Sequence, residues 1–350
     1  MRLENIKIGE RHVGETSPCF IIAEAGVNHD GSVSKAKELI DAAVEAKADA
    51  VKFQSFTTDK LILSNTPKAE YHKKTTGDKD GFDDMLRQLE LSESDHIEIR
   101  DYCDNRGIAF MSTPFDPDSA DLLERLGVNV FKVDSGNFNN PYLVKHIAIK
   151  DKPMILSTGM TTISEIEETM SVLEEVGNKQ AILLHCTSNY PPSYEDVNLR
   201  AMMTIRNTFN TLVGYSDHTQ GLCITIAAVA MGATVIEKHL TLDRSSPGPD
   251  HLASLEPREF SDLVSQVRSV EASMGSSIKR PVAAEAEVAD SLRRSVVSTE
   301  KIHKGQMITR RMVDVKRPGT GLPPKYLEWV VGRVAQKDIP ANQVITFKSV

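Results

Sequence analysis

No Cys-x-x-Cys pair occurs in this sequence; its four cysteines, Cys19, Cys103, Cys186 and Cys223, stand far apart. In a chain of 350 residues that spacing argues against a disulfide scaffold and predicts reduced thiols in a cytoplasmic protein. Long apolar runs are missing too. The longest mostly apolar stretch, Leu222 to Ile236, is broken by Gly232 and is too short to span a bilayer. The segment from Met1 to Lys7 is charged and lacks the apolar core of a signal peptide. Nor is there a basic excess. Lys and Arg number 41 against 49 Asp and Glu, a net charge of −8, and that balance disfavours nucleic acid or an anionic membrane as main partner. A single pocket can still be basic. No G-x-G-x-x-G opens the first helix, which counts against a doubly wound, dinucleotide-binding sheet.

Two domains fit the length, and hydrophobic residues at 40% suffice for a large core. Short β-rich runs recur through the first 245 residues or so, beginning near Phe20, Ala50, Ile108, Val130, Met154, Ala181, Leu212 and Thr234. Most are followed by a helical period. Ser164 and Glu167 read as a capping box with Gly177 as the stop, and Phe260, Leu263, Val264 and Val267 mark one helix face opened near Pro257. Eight strand–helix units predict an α/β fold, a (β/α)8 TIM barrel over residues 1–275. Residues 276–290 are polar and weakly patterned and read as a linker. In residues 291–350 a motif occurs twice: Val297-x4-Ile302-x2-Gly305-Gln306-x-Ile308-Thr309 returns as Val334-x4-Ile339-x2-Asn342-Gln343-x-Ile345-Thr346. The repetition predicts a small, mostly β domain with two related halves.

Barrel interiors are filled by Val, Ile and Leu, and barrel chemistry sits at the C-terminal strand ends. Here those ends are polar. By the period of two, Lys52 and Gln54 share a face, as do Glu24 with Asn28, Ser216 with His218, and Glu237 with His239. Thr113, Lys132, Ser157 and Tyr190 end their strands or follow them. Any one of these reads as a rim residue or a structural ion pair; together they point to a ligand, because charges are rarely buried unpartnered. His218 and His239 end neighbouring strands about 4.8 Å apart. Either they hydrogen-bond, or they hold one ion, and with no cysteine in sequence reach that ion is octahedral Mn²⁺ or Mg²⁺ rather than structural zinc. Lys52, Lys132 and the hydroxyls suit a phosphate and a carboxylate.

The strand-end segments IAEAGVNHDG (22–31), VKFQ (51–54), STPFD (112–116), FKVDSG (131–136), LSTGM (156–160), HCTSNYP (185–191), GYSDHT (214–219), EKH (237–239), GPDH (248–251) and KRPG (316–319) resemble, in that order, the sialic acid synthase family. The repeated tail resembles that family's antifreeze-like (SAF) domain. The resemblance covers essentially the whole chain. It implies condensation of phosphoenolpyruvate with N-acetylmannosamine or a related N-acyl mannosamine-type aldehyde, the alternative acceptor being 2,4-diacetamido-2,4,6-trideoxymannose of the legionaminic branch.

In the roles it implies, His218 and His239 hold Mn²⁺ (or Mg²⁺ or Co²⁺), which polarises the aldehyde oxygen. Lys132, Ser135, Ser157, Thr113 and Ser216 bind phosphate, and Lys52 the carboxylate region. Glu24 positions the water captured at C2, and Glu237 supports a metal ligand or relays a proton. Gln54, Tyr190, Asp250 and Arg317 contact the sugar, Arg317 reaching over from the partner chain of a homodimer with swapped tails. Asn137 departs from a glutamate common in the family and leaves the exact acceptor open. A metal-dependent pyruvate aldolase and a non-catalytic protein with an ice- or glycan-binding tail are the rival readings.

Overall fold

A computed structural model describes residues 3–64, 66–68, 73, 75, 76 and 81–350. The chain divides into two compact units, Met1–Gly275 and Ser276–Val350.

The first unit opens on a hairpin of β1 (Ile6–Ile8) and β2 (Arg11–Val13). Eight strands follow: β3 (Phe20–Gly26), β4 (Ala50–Ser55), β5 (Ala109–Pro114), β6 (Phe131–Val133), β7 (Met154–Ser157), β8 (Ala181–Cys186), β9 (Leu212–Asp217) and β10 (Val235–His239). They form one parallel sheet in the order β5-β4-β3-β10-β9-β8-β7-β6. The end strands β5 and β6 lie against each other, so the sheet rolls into a nearly closed barrel. Helices between the strands pack their apolar faces on its outside. Residues 163–175 show how: Ile166 and Leu173 are buried, and Thr162 and Glu165 cap the start reciprocally. The capping box therefore lies two residues earlier than Ser164 and Glu167, because Thr162 is the residue with extended backbone. Gly177 follows the helix with φ +79°, and the helix predicted near Pro257 runs Pro257–Met274.

Alternation along the strands produces a barrel with two unlike ends. Phe20, Ile22, Ala50, Met111, Val130, Ile155, Ile182, Leu184, Leu212 and Val235 share one inner apolar cluster with Ile6, Ile8 and Val13 of the hairpin. The hairpin therefore plugs the N-terminal end. One period further along seven of the strands the inner residues become Glu24, Lys52, Thr113, Lys132, Ser157, Cys186 and Glu237, and two periods beyond Leu212 on β9 stands Ser216. Gly214 belongs to the same inward row, and a Cβ there would lie 2.2 Å from the Val235 carbonyl oxygen. The barrel admits no side chain at that point.

In the second unit β11 (Ser295–Ser298) pairs antiparallel with β12 (Val313–Lys316), and a helix spans Ala284–Leu292, beginning in the stretch read as linker and running two residues past its end. The sequence repeat appears as a local two-fold. Ile302 and Ile339, equivalent in the repeat, exchange backbone hydrogen bonds of 2.9 and 2.8 Å. Val297 bridges Val344 as Val334 bridges Met307. Gly305 and Asn342, equivalent again, both have positive φ, 84° and 57°.

Candidate active site

The barrel residues singled out from the sequence line one cavity of about 460 Å³ at the C-terminal strand ends: Glu24, Lys52, Gln54, Thr113, Lys132, Ser135, Ser157, Tyr190, Ser216, His218, Glu237, His239 and Asp250. Arg317 is exposed and belongs to the second unit. A larger hollow of about 690 Å³ lies between Ser55, His96 and Asp116. Its buried groups satisfy one another: Ser55 Oγ is 2.7 Å from both His96 Nε2 and Ser112 Oγ. The smaller cavity differs, because Glu237 Oε2 and His239 Nδ1 are buried there without a hydrogen-bond partner. Buried polar groups left unpaired in this way mark a place for a ligand.

At the centre two lysines and two glutamates alternate. Cross-strand register sets Glu24 beside Lys52 and His239, and Glu237 beside Ser216. Lys52 Nζ lies 2.6 Å from Glu24 Oε2 and 3.8 Å from Glu237 Oε2, and donates to Thr113 Oγ1 at 2.9 Å. Lys132 Nζ donates to Ser157 Oγ at 2.7 Å and lies 3.7 Å from Glu237 Oε1, which accepts from Ser216 Oγ at 3.0 Å. Gln54 Nε2 donates to Glu24 Oε1 at 3.4 Å. None of the four charged side chains is more than 6% exposed.

Their environments push the two carboxyls apart. Burial drives Glu24 up to about 7 against the pull of Lys52, and the Glu237 charge adds to the rise. Burial also opposes the Glu237 charge, but Lys132 and Lys52 outweigh it and hold Glu237 below the usual carboxylate range. Burial would lower both lysines. Lys52 stays above its ordinary value because Glu237 and Glu24 face it, whereas Lys132 is pulled down. The cavity thus offers one carboxyl poised near neutrality and one firmly ionised.

The ring centroids of His218 and His239 are 5.3 Å apart, with Tyr190 4.0 Å from the first and 5.9 Å from the second. His218 Nδ1 lies 3.1 Å from the Thr187 carbonyl oxygen, so Nε2 is the nitrogen it can offer a cation. Burial keeps His239 neutral, well below its ordinary value, and its orphaned Nδ1 is 3.7 Å from Asp250 Oδ2. Two imidazoles beside a carboxylate fit a divalent ion. Among the described residues no group of three or more His, Cys, Asp or Glu surrounds a common point, so the other positions would fall to water or substrate oxygen. One expectation is corrected. A cysteine does reach the pair, since Cys186 lines the cavity with Sγ 3.8 Å from His218 Nδ1. It meets the nitrogen already engaged by Thr187.

Sequence reasoning also missed Asp134, a lining carboxylate just past β6. Its Oδ1 accepts from Asn137 Nδ2 and its Oδ2 from Gly136 N, each at 2.8 Å. Asn137 is not among the lining residues; it holds one that is. The signal was its place two residues after inward Lys132, one position past the end of β6. Most of the stretch from Asn65 to Gly81, whose side chains the sequence alone would make responsible for acceptor choice, lies outside the described residues. All four cysteines are free, and among the described residues no helix is long and apolar enough to cross a membrane.

The NeuB family pattern matches residues 39–279, and the SAF domain pattern residues 293–350. The chain is 43% identical to the N,N'-diacetyllegionaminic acid synthase of Legionella pneumophila, over 96% of each chain. It is equally similar, 43% over 98% of each chain, to an uncharacterised protein of Methanocaldococcus jannaschii. Among solved structures it resembles the N-acetylneuraminic acid synthetase of Leptospira borgpetersenii in complex with citrate, with 33% identity and a TM-score of 0.74 over 82% of this chain and 95% of that one.

Proposed function

The chain belongs to the NeuB family, and from that premise we propose that it joins C3 of phosphoenolpyruvate to the aldehyde carbon of an open-chain N-acylated mannosamine-type sugar. Water adds at C2, and inorganic phosphate leaves. The observation that carries this reading is the buried quartet of Glu24, Lys52, Lys132 and Glu237 ringed by hydroxyls. An anion entering beside Lys132 and Lys52 finds charge-assisted donors already oriented in a water-poor site.

In this reading Lys132, Ser157, Ser135, Ser216 and Thr113 grip the phosphate, and Lys52 the carboxylate. Glu24, near neutrality, takes the proton of the water that adds at C2. Glu237 stays ionised and keeps the two lysines apart. A divalent cation held by His218 and His239 would supply Lewis-acid polarisation of the aldehyde oxygen. Gln54, Tyr190 and Asp250 face the sugar, with Arg317 contributed by the tail of a partner chain in a homodimer.

The greater identity to the Legionella legionaminic acid synthase than to the Leptospira sialic acid enzyme, 43% against 33%, favours 2,4-diacetamido-2,4,6-trideoxymannose as acceptor over N-acetylmannosamine. Phosphate release is the test. It should require phosphoenolpyruvate plus one of these sugars, faster with the diacetamido sugar. Turnover of pyruvate, or none with any acyl mannosamine, would overturn the reading.

A further inference from the structure

Behind the two histidines, on the side of the sheet away from the cavity, lies an ion pair the mechanism does not use. Asp217 and Lys238 have side chains 0% exposed and lie 2.9 Å apart, Oδ2 to Nζ. They are direct partners in the β9–β10 ladder. Alternation turns them outward while Ser216, His218, Glu237 and His239 line the cavity. Asp217 Oδ1 accepts from the Thr219 backbone N–H at 2.8 Å, and its Oδ2 also accepts from Thr225 Oγ1 of the helix Cys223–Ala230. Lys238 Nζ donates to the Thr219 carbonyl oxygen as well.

The pair therefore grips both backbone groups of the residue after His218, while Lys238 itself immediately precedes His239. A buried ion pair is a poor source of stability, since apolar replacements of similar volume are often neutral or stabilising. What an apolar pair cannot do is hold the backbone N–H and C=O of Thr219. We infer that the Asp217–Lys238 pair is a positioning device, fixing the separation and ring orientation of His218 and His239 and thereby the affinity of the cation site between them. This rests on the cation role given to those histidines above.

The experiment titrates Mn²⁺ alone into the full chain, by calorimetry and by the Mn²⁺ electron paramagnetic resonance signal. Its main variant is the double change Asp217→Leu with Lys238→Met, which removes both charges at similar volume. Its urea midpoint should fall, because the buried Thr219 N–H and C=O lose their partners, and the Mn²⁺ Kd should weaken about tenfold to a hundredfold, as when groups behind a metal ligand are removed. Thr225→Val, which keeps the ion pair but frees one side of Asp217, serves if the double variant does not fold; its Kd should weaken severalfold. Asp49 and Arg268, a pair 2.9 Å apart elsewhere in the barrel, provide the control. Arg268→Met should lower stability and leave the Kd alone. Parent-like Kd values in both the double variant and Thr225→Val overturn the positioning role. A parent chain that binds no Mn²⁺ overturns the cation reading instead.

Discussion

Replacing Glu24 by glutamine removes a proton site and almost no volume. The parent carboxyl keeps its proton up to about pH 7, against 4.5 for the free group. Between those values the folded chain binds a proton that the unfolded chain has lost, so stability falls as pH rises. The contribution is fully present below about pH 4.5 and gone above about pH 7, and that interval corresponds to about 3 kcal/mol. Glutamine cannot titrate. The parent's unfolding free energy, less that of Glu24→Gln, should therefore drop by about 3 kcal/mol between pH 4.5 and 8. Urea unfolding followed by far-ultraviolet circular dichroism measures it; tryptophan fluorescence does not, because the one tryptophan, Trp329, lies in the second unit. The same group should give kcat/KM a limb rising through about pH 7, which the variant loses together with roughly 10²- to 10⁴-fold in kcat. A stability difference that stays flat with pH would mean that Lys52, 2.6 Å away, outweighs burial. The rising limb would then belong to another group.

Excess chelator should abolish turnover and Mn²⁺ restore it, and His218→Ala or His239→Ala should lose both bound metal and turnover in metal analysis and assay. If water adds at C2, an ¹⁸O label bridging C2 and phosphorus should depart with the phosphate, as mass spectrometry of the products will show; label kept in the sugar acid means attack at phosphorus. Asn137→Ala, which releases Asp134 Oδ1 from its 2.8 Å bond, should raise KM for the acceptor about three- to tenfold and leave that for phosphoenolpyruvate nearly unchanged; the reverse pattern would move Asp134 to the phosphate side. Mixing inactive Lys132→Ala with inactive Arg317→Ala and allowing subunits to exchange should restore roughly a quarter of parental activity if tails complete sites in trans, and none if Arg317 serves its own chain.

The eight barrel strands were legible because each is a β-rich run between helical periods, and the inward charges because alternation with period two needs no tertiary information. The hairpin at Ile6–Val13 was not. Its strands are three residues long, too short for a period, and their burial comes from closing the barrel end, which only the closed sheet creates. Asp134 lies two residues after inward Lys132, so the alternation reaches it, but it stands one position past the end of β6, and a β-rich run that ends at Val133 leaves it out. Cys186 was readable as an inward position of β8, two residues after Leu184. What sequence could not supply was its distance to His218, a product of how β8 and β9 register.

The inner charges also explain how such a barrel keeps its rigidity. Each inward polar layer replaces apolar packing, and an ion left alone at that depth is unstable by several kcal/mol. Here the layer is neutralised within itself: Glu24 answers Lys52, and Glu237 stands between Lys52 and Lys132. Hydroxyls of Thr113, Ser157 and Ser216 take up remaining hydrogen bonds. The arrangement is balanced but not saturated, since Glu237 Oε2 and His239 Nδ1 have no hydrogen-bond partner. An entering dianion adds negative charge to a layer already at balance, and Glu24, held near neutrality by burial, is the carboxyl whose proton affinity it raises. The apolar plug beneath, built from Phe20, Ile22, Met111 and the hairpin's Ile6 and Ile8, excludes water from below and keeps these interactions strong. Substrate binding and base strength are thereby coupled through one carboxyl. An anion beside Lys132 draws that lysine's charge away from Glu237 and Glu24, which raises Glu24 further and makes it the stronger base when the C2 centre needs one.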